Sequence, residues 1–123
     1  MHIDDDVEDR EVFAEALKEI SNTIEFISVS NPVDALELLH QSSTKPHFIF
    51  VDLNMPLMSG KEFLTQIKSH PKYRSIPVIV CTTSSNQKDK EDCLTLGAEL
   101  FFTKFNSYQE LVKTLKSVIS RSK

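Results

Sequence analysis

The sequence predicts an α/β fold, a parallel sheet with helices on both of its faces. Two observations carry this. The apolar pattern switches repeatedly between helical spacing and short strand-like runs. Two of those runs, Phe48-Ile49-Phe50-Val51 and Ile76 to Cys81, are almost wholly apolar, the mark of strands covered on both faces. A third observation limits the size. At 123 residues, with 2 glycines and 5 prolines, the chain has no flexible linker, so 1–123 is expected to be one domain.

The elements follow in order. Only Met1 to Ile3 remain for the strand that must precede the first helix, so the first strand is truncated at the N-terminus. Val12, Phe13, Ala16, Leu17 and Ile20 recur at helical spacing and form that helix's buried stripe. Ile24 to Val29 reads as a strand, diluted by Glu25 and Ser28 as an edge strand should be. Asn31 before Pro32 marks a helix start, a capping side chain followed by proline at the first helical position. Ala35, Leu36, Leu38 and Leu39 continue that helix. After Phe48–Val51, Ser59 with Glu62 forms a capping box ahead of Phe63, Leu64 and Ile67. Asn86 to Leu96 is helical but thinly apolar, and Gly97 stops it. Leu100-Phe101-Phe102 is the last strand. Ser107 with Glu110 is a second capping box, leading into Leu111, Val112, Leu115, Val118 and Ile119. Strands alternating with helices require right-handed crossovers in a parallel sheet.

Composition excludes several classes. Hydrophobic residues make up 40% and charged residues 26%, a globular balance rather than a disordered one. The net charge of −4 speaks against a protein that grips nucleic acid by its phosphate backbone. No apolar run approaches the roughly 20 residues of a membrane span. Met1-His2-Ile3-Asp4-Asp5-Asp6 lacks the basic-then-apolar order of a signal peptide. Cys81 and Cys93 form neither a CxxC motif nor a disulfide scaffold. A cytoplasmic protein with reduced thiols is expected.

Ligands of an open parallel sheet bind beyond the carboxyl ends of its strands. Asp4, Asp5 and Asp6 follow the first strand, Asp52 the third, Thr82 to Ser85 the fourth and Lys104 the fifth. Each has an ordinary role open to it: a helix cap among Asp4 to Asp6, a turn aspartate at 52, a loop hydroxyl, a snorkelling lysine. Their joint placement at one sheet edge favours chemistry. Clustered carboxylates repel one another, and a hard divalent cation such as Mg²⁺ relieves that repulsion while leaving room for phosphate oxygens. A carboxylate can attack phosphorus to form an acyl phosphate. A metal, a lysine and a hydroxyl are the groups that stabilise a phosphoryl group in transit.

Asp52-Leu53-Asn54-Met55-Pro56 followed by Ser59-Gly60 resembles the phosphoacceptor loop of response-regulator receiver domains, the CheY-like superfamily. Asp4-Asp5, Thr82 and Lys104 match that family's other fixed positions in order and spacing, and the resemblance covers nearly the whole chain. The run Asp4 to Arg10 is similar to the stand-alone receivers associated with phytochromes. The resemblance implies a doubly wound five-stranded fold of flavodoxin-like type, strand order 2-1-3-4-5. It implies a two-component response regulator whose Asp52 accepts phosphate from a sensor histidine kinase. It further implies that Asp5 and Asp52 ligate Mg²⁺, Asp4 through water, with the Asn54 backbone carbonyl. Thr82 would bond the phosphoryl group and Lys104 would pair with it. Phe101 would be the switching aromatic, and Asn54 and Ser84 would tune phosphoryl lifetime. Phe105 stands where the family usually has proline, so the Lys104–Phe105 bond is expected to be trans, since a cis bond there costs about 2.5–4 kcal/mol.

Two other readings compete. A haloacid-dehalogenase-type phosphatase shares the aspartate, hydroxyl, lysine and Mg²⁺, but needs a second aspartate two residues on as acid and base, where this chain has Asn54. A non-phosphorylated pseudo-receiver would lack one of the five positions, and all are present. No output domain is expected after Arg121. Signalling would therefore run to a separate output or phosphotransfer protein, with no nucleic-acid or membrane contact. The helix from Asn86 to Leu96 and the last strand and helix are the expected contact face, and also the face of a phosphorylation-dependent homodimer.

Overall fold

The computed structural model describes residues 1–41, 45–55, 57–104 and 107–120. Ten elements alternate: β1 (His2–Ile3), α1 (Val7–Ile20), β2 (Ser28–Val29), α2 (Pro32–Gln41), β3 (Ile49–Val51), α3 (Gly60–Ser69), β4 (Val78–Thr82), α4 (Gln87–Thr95), β5 (Leu100–Thr103) and α5 (Tyr108–Ser120). All strand pairs are parallel, in the order β2-β1-β3-β4-β5. This is the expected doubly wound flavodoxin-like sheet.

The short first strand is stitched in from both sides. The His2 and Asp4 amides donate to the carbonyls of Ile27 and Val29, and the Phe50 and Asp52 amides donate to those of Met1 and Ile3. The strand expected over Ile24 to Val29 is corrected to Ser28–Val29, because β1 offers it only a two-residue partner. Ile24 and Phe26 still pack partly against the core.

Alternation along the strands divides the core. Ile3, Ile49, Val51, Val78 and Val80 face α2 and α3, where Ala35, Leu39, Phe63, Leu64 and Ile67 complete one layer. Phe50, Ile79 and Cys81 face α1 and α5, with Phe13, Ala16, Leu17, Leu111, Val112 and Leu115. A strand apolar on both sides needs both layers, which is why β3 and β4 read as continuous runs.

The local start signals are realised. Asp6 caps α1 through the Asp9 amide, Asn31 accepts from the Asp34 amide, and Ser107 accepts from the Glu110 amide. Ser59 caps α3 through the Glu62 amide, while the Glu62 carboxylate reaches back to the Ser59 hydroxyl at 3.3 Å. Gly97, at φ 110°, ends α4 with the Ala98 amide bonded to the Cys93 carbonyl.

The fourth helix is held differently from the others. Cys93 is its one buried residue. Lys61 of α3 instead ties it down, donating to Asp89 at 2.8 Å and to Asp92 at 3.1 Å. Replacing Lys61 with alanine would leave Asp92 to Lys88 and Asp89 to the Ser84 hydroxyl, and would cut the tie from α3 to a helix with little apolar hold. Amide hydrogen exchange of residues 88–95 is expected to quicken severalfold while that of β4 stays unchanged. Unchanged exchange in α4 would show that the bridge does not hold the helix.

Candidate functional site

The carboxyl ends of β1, β3, β4 and β5 converge as the sheet topology requires. Asp4 and Asp52, after β1 and β3, are buried, and Asp5 beside them is exposed. One oxygen from each of these three carboxylates lies within 4.8 Å of the others. Thr82, the last residue of β4, is fully buried. Lys104, just beyond β5, brings its ammonium to 3.0 Å from Asp4 Oδ2 and 3.2 Å from Asp52 Oδ2. The sequence-predicted aspartates and lysine are thus in one place.

Loop chemistry builds the arrangement. The Asp4 carboxylate accepts the Asp6 amide at 3.0 Å through Oδ1, which turns the chain into α1, and Arg10 donates to the Asp4 carbonyl at 2.7 Å. Gly60 packs against the loop after β3 so closely that a Cβ would lie 2.4 Å from the Asp52 carbonyl oxygen. Leu57, in the same loop, has a φ of 71°, a conformation that leucine rarely adopts. The Lys104 amide donates to the Thr82 carbonyl at 2.6 Å, fixing the two strand ends to one another.

Burial and charge oppose each other here. Desolvation raises the pKa of Asp4, against the lowering hydrogen bonds from the Asp6 amide and Lys104. Desolvation also acts to lower the Lys104 pKa, but its hydrogen bonds to Asp9 and Asp4 override it and hold the ammonium above the ordinary lysine range. His2, stacked on Phe13 at 3.9 Å, has its pKa pushed down to about 3, chiefly by burial. It is neutral near pH 7, so its approach to Asp4 at 3.8 Å is no ion pair. Asp52 Oδ1 is buried without a hydrogen-bond partner among the described residues. A buried, unpartnered carboxylate oxygen beside two further carboxylates is what a divalent cation would satisfy, so the donor set fits one.

Other expected residues are placed as follows. Thr82 accepts the Ser84 amide at 3.3 Å, and Ser84 donates its hydroxyl to Asp89 at 2.7 Å. Phe101 is half-buried against the layer under α2 and α3. Asn54 is exposed in the turn after β3. The expected trans bond at Lys104–Phe105 and Pro56 of the motif lie outside the described residues. Sequence reasoning missed Asp9, whose carboxylate stands 2.6 Å from Lys104 Nζ, and Lys61, which joins Asp89 to α3.

A parallel sheet whose strand ends gather three aspartates, a buried threonine and an ion-paired lysine has the fold and side-chain set expected of a receiver-type signalling domain. Residues 1–116 match the family model of the response regulator receiver domain, and the chain belongs to that family. It is 31% identical to the response regulator Rcp1 of Synechocystis sp., over 96% of this chain and 84% of that one. The crystal structure of a phosphorylated cyanobacterial phytochrome response regulator, RcpA, superposes with a TM-score of 0.87 at 30% identity, covering 95% of this chain and 87% of that one. A Mn²⁺-bound structure of Rcp1 superposes with a TM-score of 0.83 at 31% identity, covering 97% and 89%. The chain is therefore a two-component response regulator receiver, and neither alternative reading is favoured. Among the described residues no helix is long and apolar enough to cross a membrane.

Proposed function

We propose that Asp52 accepts a phosphoryl group from a phosphohistidine of a sensor histidine kinase. An Asp52 carboxylate oxygen attacks phosphorus, the O–P bond forms, the N–P bond breaks, and the nitrogen's electron pair returns to the imidazole. The observation that carries the reading is Asp52 itself: a buried carboxylate with one unpartnered oxygen, next to Asp4, Asp5 and Lys104. Lys104 would pair with the transferred group, and the Thr82 hydroxyl would leave the Ser84 amide to bond it. Mg²⁺ held by Asp52, Asp5 and the Asn54 carbonyl would neutralise the excess negative charge and shield the phosphoryl oxygens. Asp4 would act through water, which suits a carboxylate whose Oδ1 is bonded to the Asp6 amide and whose Oδ2 is bonded to Lys104. The test is incubation with acetyl phosphate and Mg²⁺. One hydroxylamine-sensitive phosphoryl group per chain is expected, and none would refute the reading.

Metal binding has its own signature. A cation that binds only the folded state stabilises it by mass action, about 2.7 kcal/mol at a hundredfold excess over Kd. Millimolar Mg²⁺ is expected to raise the melting temperature, and Asp5→Asn to remove most of that rise. Asp5 is exposed, so its substitution leaves the core untouched. An equal rise in the variant would remove Asp5 from the ligand set.

Phe101 and Ser84 fit the roles of switch aromatic and lifetime-tuning residue. Phe101 packs, half-buried, against the layer under α2 and α3, and the Ser84 hydroxyl bridges the loop after Thr82 to α4. The output route is a partner protein in the cytoplasm, met on α4, β5 and α5. The same face would support a homodimer of the phosphorylated form. Sedimentation without and with beryllofluoride, a phosphoryl mimic, is expected to show monomer and dimer respectively. A monomer in both states would exclude it.

A further inference from the structure

We propose that Asp9 is a positioning residue for Lys104, one that competes with the phosphoryl group on Asp52 and so limits how strongly the phosphorylated state is favoured. This rests on the receiver reading above.

An ammonium has three N–H bonds to give. In this site the ammonium donates to Asp9 Oδ2 at 2.6 Å and to Asp4 Oδ2 at 3.0 Å, and it is ion-paired with Asp52 Oδ2 at 3.2 Å. The shortest contact is to the one aspartate that stands apart from the others. Asp4 and Asp52 belong to the three-carboxylate cluster, and Asp9 does not. Asp9 therefore stands outside the group that a cation in that cluster would engage. Its backbone is anchored, because the Asp9 amide donates to the Asp6 cap in the first turn of α1. The Lys104 side chain is the mobile partner, with four rotatable bonds. Asp9 thus draws the ammonium towards α1 and away from Asp52. Phosphorylation places new anionic oxygens on Asp52, and Lys104 can move fully to them only by weakening its bond to Asp9.

Two consequences have the same sign. Without the Asp9 charge the lysine is free to move to the phosphoryl group. A negative charge that would repel that group is also gone. Asp9→Asn should therefore favour the phosphorylated form, and Asp9→Glu, which keeps the charge on a longer stem, should resemble the parent.

The test is binding of beryllofluoride at fixed Mg²⁺, read by fluorine NMR for the full chain. The half-saturating concentration is expected to fall about three- to tenfold in Asp9→Asn, the range of a partly exposed charge-assisted contact. Asp9→Glu should stay within about twofold of the parent on the same scale. Asp6→Asn is the control, since asparagine caps helices as well as aspartate and Asp6 does not touch Lys104. Equal or weaker binding in Asp9→Asn would overturn the proposal. So would an Asp6→Asn effect as large as that of Asp9→Asn, because the effect would then be diffuse charge rather than competition for the lysine. A parent that binds no beryllofluoride would overturn the receiver reading itself.

Discussion

Asp52→Asn is expected to reduce phosphoryl uptake to background while the chain folds at least as stably as the parent. Asparagine has nearly the same shape as aspartate but no carboxylate oxygen able to attack phosphorus. The variant also removes one charge from a buried cluster in which Asp4 already has a raised pKa through desolvation. Lys104 keeps Asp4 and Asp9 as partners. Stability without metal should rise by about 1 kcal/mol, the ordinary scale of a single substitution, since a desolvated charge with an unpartnered oxygen is lost. The gain from Mg²⁺ should shrink with it. Uptake and unfolding in urea, measured side by side, separate a lost nucleophile from a lost fold. Labelling equal to that of the parent would contradict the assignment of Asp52.

Gly60→Ala is expected to destabilise the protein by about 2–3 kcal/mol, the upper part of the range for overpacking. The sign is informative. Alanine in place of glycine within a helix ordinarily gains up to about 1 kcal/mol. Here the added Cβ would lie 2.4 Å from the Asp52 carbonyl oxygen and 2.8 Å from Leu53 Cα. These are backbone atoms, so no side chain can swing aside to make room. Relief requires the start of α3 to move away from the Asp52 loop, which would also break the Gly60 amide's bond to the Leu53 carbonyl at 2.9 Å. Mg²⁺ affinity and phosphoryl uptake should therefore fall together with the urea midpoint. A variant as stable as the parent would show that the loop is not held by this contact.

Much of the fold was legible because its signals are local. Asp6, Asn31, Ser59, Asn86 and Ser107 each start a helix through a hydrogen bond within three residues. The apolar runs at Phe48–Val51 and Ile76–Cys81 report two-sided burial directly, though β4 itself begins at Val78 and extends to Thr82. The main error, the length of β2, came from reading a strand without its neighbour, because pairing with β1 decides where it ends. The site was legible to the extent that topology places residues at a common edge. Ion pairing was not. Lys104 meets Asp9 across 95 positions and Lys61 meets Asp89 across 28, and no local pattern reports which acid a long flexible side chain will reach. The charged face of α4, open to a reading as plain solvated surface, holds that helix through Lys61.

The central claim is that the phosphoryl group is carried on Asp52. Borohydride reduces an aspartyl phosphate to homoserine, marking the residue that carried it, and peptide mass spectrometry locates the mark. After treatment with acetyl phosphate and Mg²⁺, homoserine is predicted at position 52 and at no other aspartate. Homoserine at Asp4, Asp5 or Asp9, or none in a chain that has taken up label, would contradict the account.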